Sequence, residues 1–142
     1  MPANSRFLVA SHLLAALALS GGEAVPSEQL AVSVNTNPAV VRRLLARLNR
    51  AGLTRGATGP GGGATLARLA RDITLLDVYR AIDEPTLFAP PPSSPNPDCI
   101  VGCHIARAME GSLEKARKSM EASLAETTIA QVAARIRKLS PK

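Results

Sequence analysis

Aromatic side chains are nearly missing from this chain: its 142 residues include two Phe, one Tyr and no Trp. Strands rely on aromatic and β-branched residues for packing, which argues against a sandwich as the main architecture. The 46% apolar share is mostly Ala and Leu and suits closely packed helices. Lysine is absent from the first half. Residues 1–71 hold eight arginines (6, 42, 43, 47, 50, 55, 68, 71) against Glu23 and Glu28, a balance of +6, whereas residues 72–142 hold nine basic and nine acidic groups. Acidic residues are also absent between Asn37 and Arg71. A long apolar run is missing too. Phe7–Leu19 follows Arg6 as a secretory leader might, but it is too short for a bilayer, is interrupted by Ser11 and His12, and precedes no small-x-small cleavage site. A cytoplasmic chain with no membrane partner is expected. The two histidines, His12 and His104, stand far apart, and no Ser/His/Asp grouping accompanies them, so no enzyme is expected.

An excess of positive charge made only of arginine points to nucleic acid. The guanidinium fork matches phosphate and guanine, whereas a basic membrane-surface helix mixes Lys with exposed bulky apolar residues. A generic solubilising charge is the plainer alternative.

Ser5–Leu19 reads as a first helix ended by Gly21-Gly22. Ser27 is placed to cap a short second helix, and Val32–Thr36 to form a turn. Asn37-Pro38 opens a third helix, with Asn as the cap and Pro at the first helical position. At 100° per residue, Val40, Val41, Leu44, Leu45 and Leu48 share one face, and Ala39, Arg42, Arg43, Ala46 and Arg50 the other. Surface helices commonly carry charge outward, but this face has no acid to neutralise it, and its small alanines permit close approach to a groove floor. The third helix is therefore expected to be a recognition helix. Leu53–Ala57 and Ala64–Ala67 flank Gly-Pro-Gly-Gly-Gly (59–63) and read as two short strands. The glycines allow a reversal with positive φ and expose backbone N–H groups toward phosphate. The absence of Lys-Ser/Thr after them argues against a nucleotide-binding loop.

Ile73–Ala81 reads as a further helix capped by Asp72 or Thr74. Glu84–Asp98, with six prolines, reads as an extended connector. Beyond it Ile105, Met109, Leu113, Ala116, Met120 and Leu124 alternate by four and three, the stripe of a helix packing along another, here a second copy of the chain. Ile129–Lys138 closes the chain. The expected fold is mainly α, a winged helix-turn-helix with a two-stranded wing plus a long C-terminal dimerisation helix. Its expected units are 1–83 for DNA binding, 84–98 as connector, and 99–142 for the dimerisation and C-terminal helices.

The order of Arg-Ala-Gly-Leu (50–53), Gly-Pro-Gly-Gly-Gly (59–63), Ile-Thr-Leu-Leu-Asp-Val (73–78), a proline connector, Cys and a long helix resembles the Rrf2 family of bacterial transcription regulators over nearly the whole chain. Asn-Pro-Asp-Cys-Ile-Val-Gly (96–102) is most similar to its YwnA-like branch, which lacks an iron–sulfur cluster. The resemblance implies a winged-helix homodimer on a two-fold symmetric double-stranded DNA site, most simply a repressor. Asn37, Ala39, Arg42 and Arg43 are then expected at or near base edges, Arg6, Arg50 and Arg55 at phosphates, and Gly61, Gly62 and Gly63 at the minor groove. Two departures stand out. Ala64 replaces the aromatic that ordinarily follows the third glycine, which implies a looser wing tip. There are two cysteines, where cluster-binding members carry three in this region.

Cys99 and Cys103, with His104 beside them, leave several chemistries open. An iron–sulfur cluster needs about four ligands. Zinc would need 103 and 104 to point one way on a helix. A thiol switch would use the helix dipole to favour thiolate, and two inert apolar fillers would need no chemistry at all. No metal or cofactor is expected. Alternatives for the whole chain are an adaptor that reuses a winged helix for protein contacts, and an iron–sulfur-sensing regulator.

Overall fold

The computed structural model describes residues 3–57, 61–82 and 87–141. Six α-helices and one small sheet follow in the order α1 (Ala3–Leu19), α2 (Ser27–Val34), α3 (Pro38–Arg50), β1 (Thr54–Ala57), β2 (Gly63–Leu66), α4 (Leu75–Ala81), α5 (Ile100–Ala125) and α6 (Ile129–Leu139). The mainly helical fold with a two-stranded wing is as the sequence implied. Gly59 and Pro60 of the glycine turn lie outside the described residues, as does the start of the connector.

α1 has no polar face of any breadth, and so it lies at the centre. Ala10, Leu13 and Leu14 are fully buried, and the helix touches α2, α3, α4, α6 and β2. Phe7 meets Tyr79 of α4 edge-to-face, with ring centroids 5.8 Å apart. Around it close Leu30 from α2, Val41 and Leu48 from α3, Leu53, Ile73, Val78 and Ile82.

Helix boundaries follow local chemistry, with some shifts from expectation. α2 begins one residue early: Pro26, fixed at φ −64°, holds the cap position, so Ser27 is already helical and makes no cap bond. α2 runs to Val34 and stops because Asn35 turns left-handed at φ 65°. α3 starts as expected, with Asn37 Oδ1 accepting from the Ala39 N–H at 2.7 Å and Pro38 next. In the Ile-Thr-Leu-Leu-Asp-Val block, Thr74 rather than Asp72 caps α4. Its hydroxyl accepts from the Asp77 N–H, while the Asp77 carboxylate accepts from the Thr74 N–H. Thr128 and Gln131 repeat the device on α6.

These two helix starts are joined. The Leu75 N–H donates to Thr127 O at 2.9 Å and the Ile129 N–H to Ile73 O at 2.8 Å. Each bond satisfies a first-turn donor that its own helix cannot. With Ile129 fully buried in the common core, α6 belongs to the same body as α1–α4. The second half of α5 lies against α4, with Arg80 3.4 Å from Glu121.

β1 and β2 pair antiparallel with Thr54 opposite Leu66 and Ala57 opposite Gly63, but Val25 joins as a third member, exchanging both backbone bonds with Ala64 at 3.0 and 2.9 Å. Ala64 is buried in the core, where its small side chain fits the closure against Val25. Gly63 has φ 151°, and a Cβ there would lie 2.6 Å from the Val25 carbonyl group. Gly63 is thus a packing requirement, whereas Gly61, at φ 76°, meets nothing within 4 Å.

The two glycines should therefore separate on substitution. Gly63→Ala is expected to cost about 2 kcal/mol or more in urea denaturation, since strain and a backbone clash add. Gly61→Ala should cost about 1 kcal/mol, the left-handed backbone alone.

Candidate nucleic-acid interface

α3 turns its charged face to solvent. Val41, Leu44, Leu45 and Leu48 are buried against the core, while Arg42, Arg43, Ala46 and Arg50 are exposed and Ala39 is half-exposed. Asn49 bonds to the nearly buried Thr54 hydroxyl and ties the end of α3 to β1. Gly52, at φ 77°, then ends the helix, and the Leu53 N–H returns to Leu48 O at 3.0 Å. The wing strand carrying exposed Arg55 follows directly, so helix and wing are held in one frame.

The arginines divide by task. Among the described residues, Arg43, Arg50 and Arg55 make no ion pair or hydrogen bond through their side chains and remain available to an outside anion. Arg47 is half-buried and donates to Ile82 O at 2.7 Å, closing the last turn of α4. Arg68 reaches Ala51 O at 3.3 Å and stands 3.8 Å from Asp77, bracing the back of the wing. Arg6 is half-buried in the first turn of α1, its Nε enclosed without a partner among the described residues. Asn37 has its oxygen committed to capping α3, which leaves only its amide N–H groups for any base.

Sequence reasoning missed one neighbour of this face. Glu28, in the first turn of α2, lies 3.5 Å from Arg42. No acid lies within α3, yet the turn between the helices folds one against it from 14 positions away. Hydrophobic spacing carries no signal for such a pair.

The thiols lie elsewhere. Cys99 occupies the cap position of α5 and Cys103 one turn on, both exposed. The Cys99 thiol makes no formed cap bond, but the backbone N–H groups of Gly102 and Val101 face it and lower its pKa below the usual thiol value. Gly102 is itself required, because a Cβ there would meet the Asn96 carbonyl at 2.4 Å. Among the described residues no three His, Cys, Asp or Glu side chains gather as metal ligands. His104 adds no third donor, and His12 bonds to Ser33 at 2.8 Å. No described helix is long and apolar enough to cross a membrane.

An exposed arginine helix framed by a β-wing is the geometry of a winged helix. The model of the Rrf2 family, described as iron-dependent transcriptional regulators, matches residues 3–135. The chain belongs to the Rrf2 family. YwnA of Bacillus subtilis (strain 168), provisionally named an HTH-type transcriptional regulator, is 38% identical over 129 residues, spanning 91% of this chain and 95% of that one. A crystal structure of a protein provisionally described as DNA-binding is 36% identical with a TM-score of 0.71, covering 89% of this chain and 97% of its own. T. potens IscR shares the fold at a TM-score of 0.71 and 22% identity, over 100% of this chain and 91% of that structure. As an Rrf2 member the chain is a DNA-binding transcriptional regulator and not an enzyme. The iron in the family's description finds two thiols per chain here, so a cluster needing about four ligands would have to draw the others from an acid or a second chain.

Freeing Arg42 should strengthen the interface. Glu28→Gln is expected to tighten binding to duplex DNA at low salt about two- to fivefold, the scale of one exposed ion pair. Titration by fluorescence anisotropy measures it.

Proposed function

We propose that this chain acts in the cytoplasm as a homodimeric repressor that blocks a promoter by occupying a two-fold symmetric DNA site. The observation that carries the reading is the α3 face. Arg43 and Arg50 are unpaired, small Ala46 lies between them, and no acidic residue stands on the helix. One α3 per subunit enters successive major grooves about 34 Å apart. Arg43 is assigned to base edges, with Arg42 and the Asn37 amide beside it, while the half-exposed Ala39 lets the helix approach. Arg6, Arg50 and Arg55 take phosphates. Of the glycines, Gly61 and Gly62 bring the wing backbone to the minor groove, and Gly63 holds the wing to the core. The dimer forms along α5. Its stripe divides: Leu113, Met120 and Leu124 are half-covered by the chain itself, while Ile105, Met109 and Ala116 stay open for a partner.

Arg43→Ala should weaken binding to the cognate site by about 1–3 kcal/mol and relax base preference, with little change on random DNA. An equal loss on both would reassign Arg43 to phosphate. Because phosphate contacts release counterions, affinity must also fall steeply with salt. Indifference to duplex DNA at low salt would instead support the adaptor reading.

The release signal we assign to Cys99. Its lowered pKa raises the thiolate fraction at neutral pH; the thiolate attacks one oxygen of hydrogen peroxide, the O–O bond breaks, and the products are a sulfenic acid and a hydroxide ion that takes a proton from solvent. Cys103, one turn on in a regular helix, is poorly placed for a bridge within the chain. Rapid alkylation near pH 7, and any loss of DNA binding with peroxide, should disappear in Cys99→Ser and persist in Cys103→Ser. A brown sample after purification without oxygen would overturn the thiol assignment in favour of a cluster.

A further inference from the structure

Residues 1–71 hold two acids, Glu23 and Glu28, and the fold sends one of them against the arginine face of α3. Glu28 sits in the first turn of α2, where buried Leu30 and Ala31 fix that helix against α3. Its carboxylate lies 3.5 Å from Arg42 Nη1, while Glu23 makes no ion pair among the described residues. An acid here weakens the attraction of the whole face for phosphate. A first-turn acid does favour the helix macrodipole, but that role needs no contact with α3.

The geometry of the contact suggests what it does. The Arg42 guanidinium presents five N–H donors in a planar fork. Glu28 engages Nη1 alone, which leaves the edge formed by Nη2 and Nε free. That edge carries two parallel donors, the arrangement that guanine O6 and N7 accept. The Arg42 side chain is 57% exposed and that of Glu28 73%, so the pair is open to a duplex and weak in the free protein. A base pair laid against the free edge excludes water, and the two charges are then screened less. With guanine in place, Arg42 reads the base and keeps Glu28. On other sequences it reaches a phosphate only by leaving Glu28. Arg43, Arg50 and Arg55 carry no such tether.

We infer that Glu28 is a positioning residue for sequence readout. Its carboxylate holds Arg42 with the Nη2–Nε edge toward guanine and keeps that guanidinium from becoming a sequence-independent phosphate contact. The inference rests on the placement of α3 in the major groove proposed above. Discrimination is then a joint property of α2 and α3.

Two duplexes test this with the full-length protein: one selected by the wild-type chain from a random pool, and a scrambled one of equal composition. Fluorescence anisotropy across a salt series gives both dissociation constants. Glu28→Gln should tighten the scrambled duplex about two- to fivefold, steepen its salt slope by about one, and leave the selected duplex nearly unchanged. The ratio between the two therefore falls. Glu23→Gln makes the same change in net charge without touching Arg42 and should leave the ratio as it was. In an Arg42→Ala background, Glu28→Gln should no longer alter the ratio. A ratio that does not fall in Glu28→Gln, or a fall that persists without Arg42, overturns the inference and leaves the DNA-binding face standing. A lowered melting temperature with an unchanged ratio would give Glu28 a helix-stabilising role only, and also overturns it. A wild-type chain that selects no duplex from the pool overturns both.

Discussion

Everything in this chain is arranged around the burial of α1. A helix apolar on nearly all sides cannot face water, so α2, α3, α4, α6 and the wing strand β2 must each supply a cover. Leucine and alanine do this without aromatic bulk, since alanines such as Ala10 and Ala15 let neighbouring helices approach closely. The orientation of α3 is one result. Its buried Val41, Leu44 and Leu48 are held by α1, and that leaves its arginines facing out.

Local chemistry then fixes what the core alone would leave loose. The capping boxes at Thr74 and Thr128 are bonded to each other through Leu75 and Ile129, so α4 and α6 start as one unit. Arg47 ties α3 to the end of α4, and Arg68 ties the wing to Ala51 and Asp77. Two arginines of the basic half thus hold the reading head together, which leaves fewer for DNA than the net charge suggests. A charged residue's role depends on what lies within reach, and composition does not record that.

That limit explains what was legible in the sequence. The α3 faces, its Asn37-Pro38 start, the wing strands and the long helix all follow from rules spanning a few residues, and all of them were readable. Val25 joining the wing, Glu28 beside Arg42, and α6 returning to the core each depend on residues distant in the chain, and periodicity is silent there. The glycine turn shows both sides. Its composition announced a wing, yet only the backbone distance to Val25 separates Gly63, fixed by packing, from Gly61, free at the surface.

The remaining apolar surface is best understood as the unfinished part of the same problem. Among the described residues α1 is open at Leu8 and His12, and α5 is open from Cys103 to Ser112. A chain that buries its central helix so completely elsewhere has no folding reason to leave these two stretches open. The proposed seam along α5 covers the second of them, and α5 joins the reading head through α4, which Arg47 ties to α3. The spacing of the two α3 helices would then depend on the start of α5, where the connector ends at Asn96 against Gly102 and where Cys99 lies. Chemistry at that point need not reach the DNA face to be felt there. It only has to change how α5 begins.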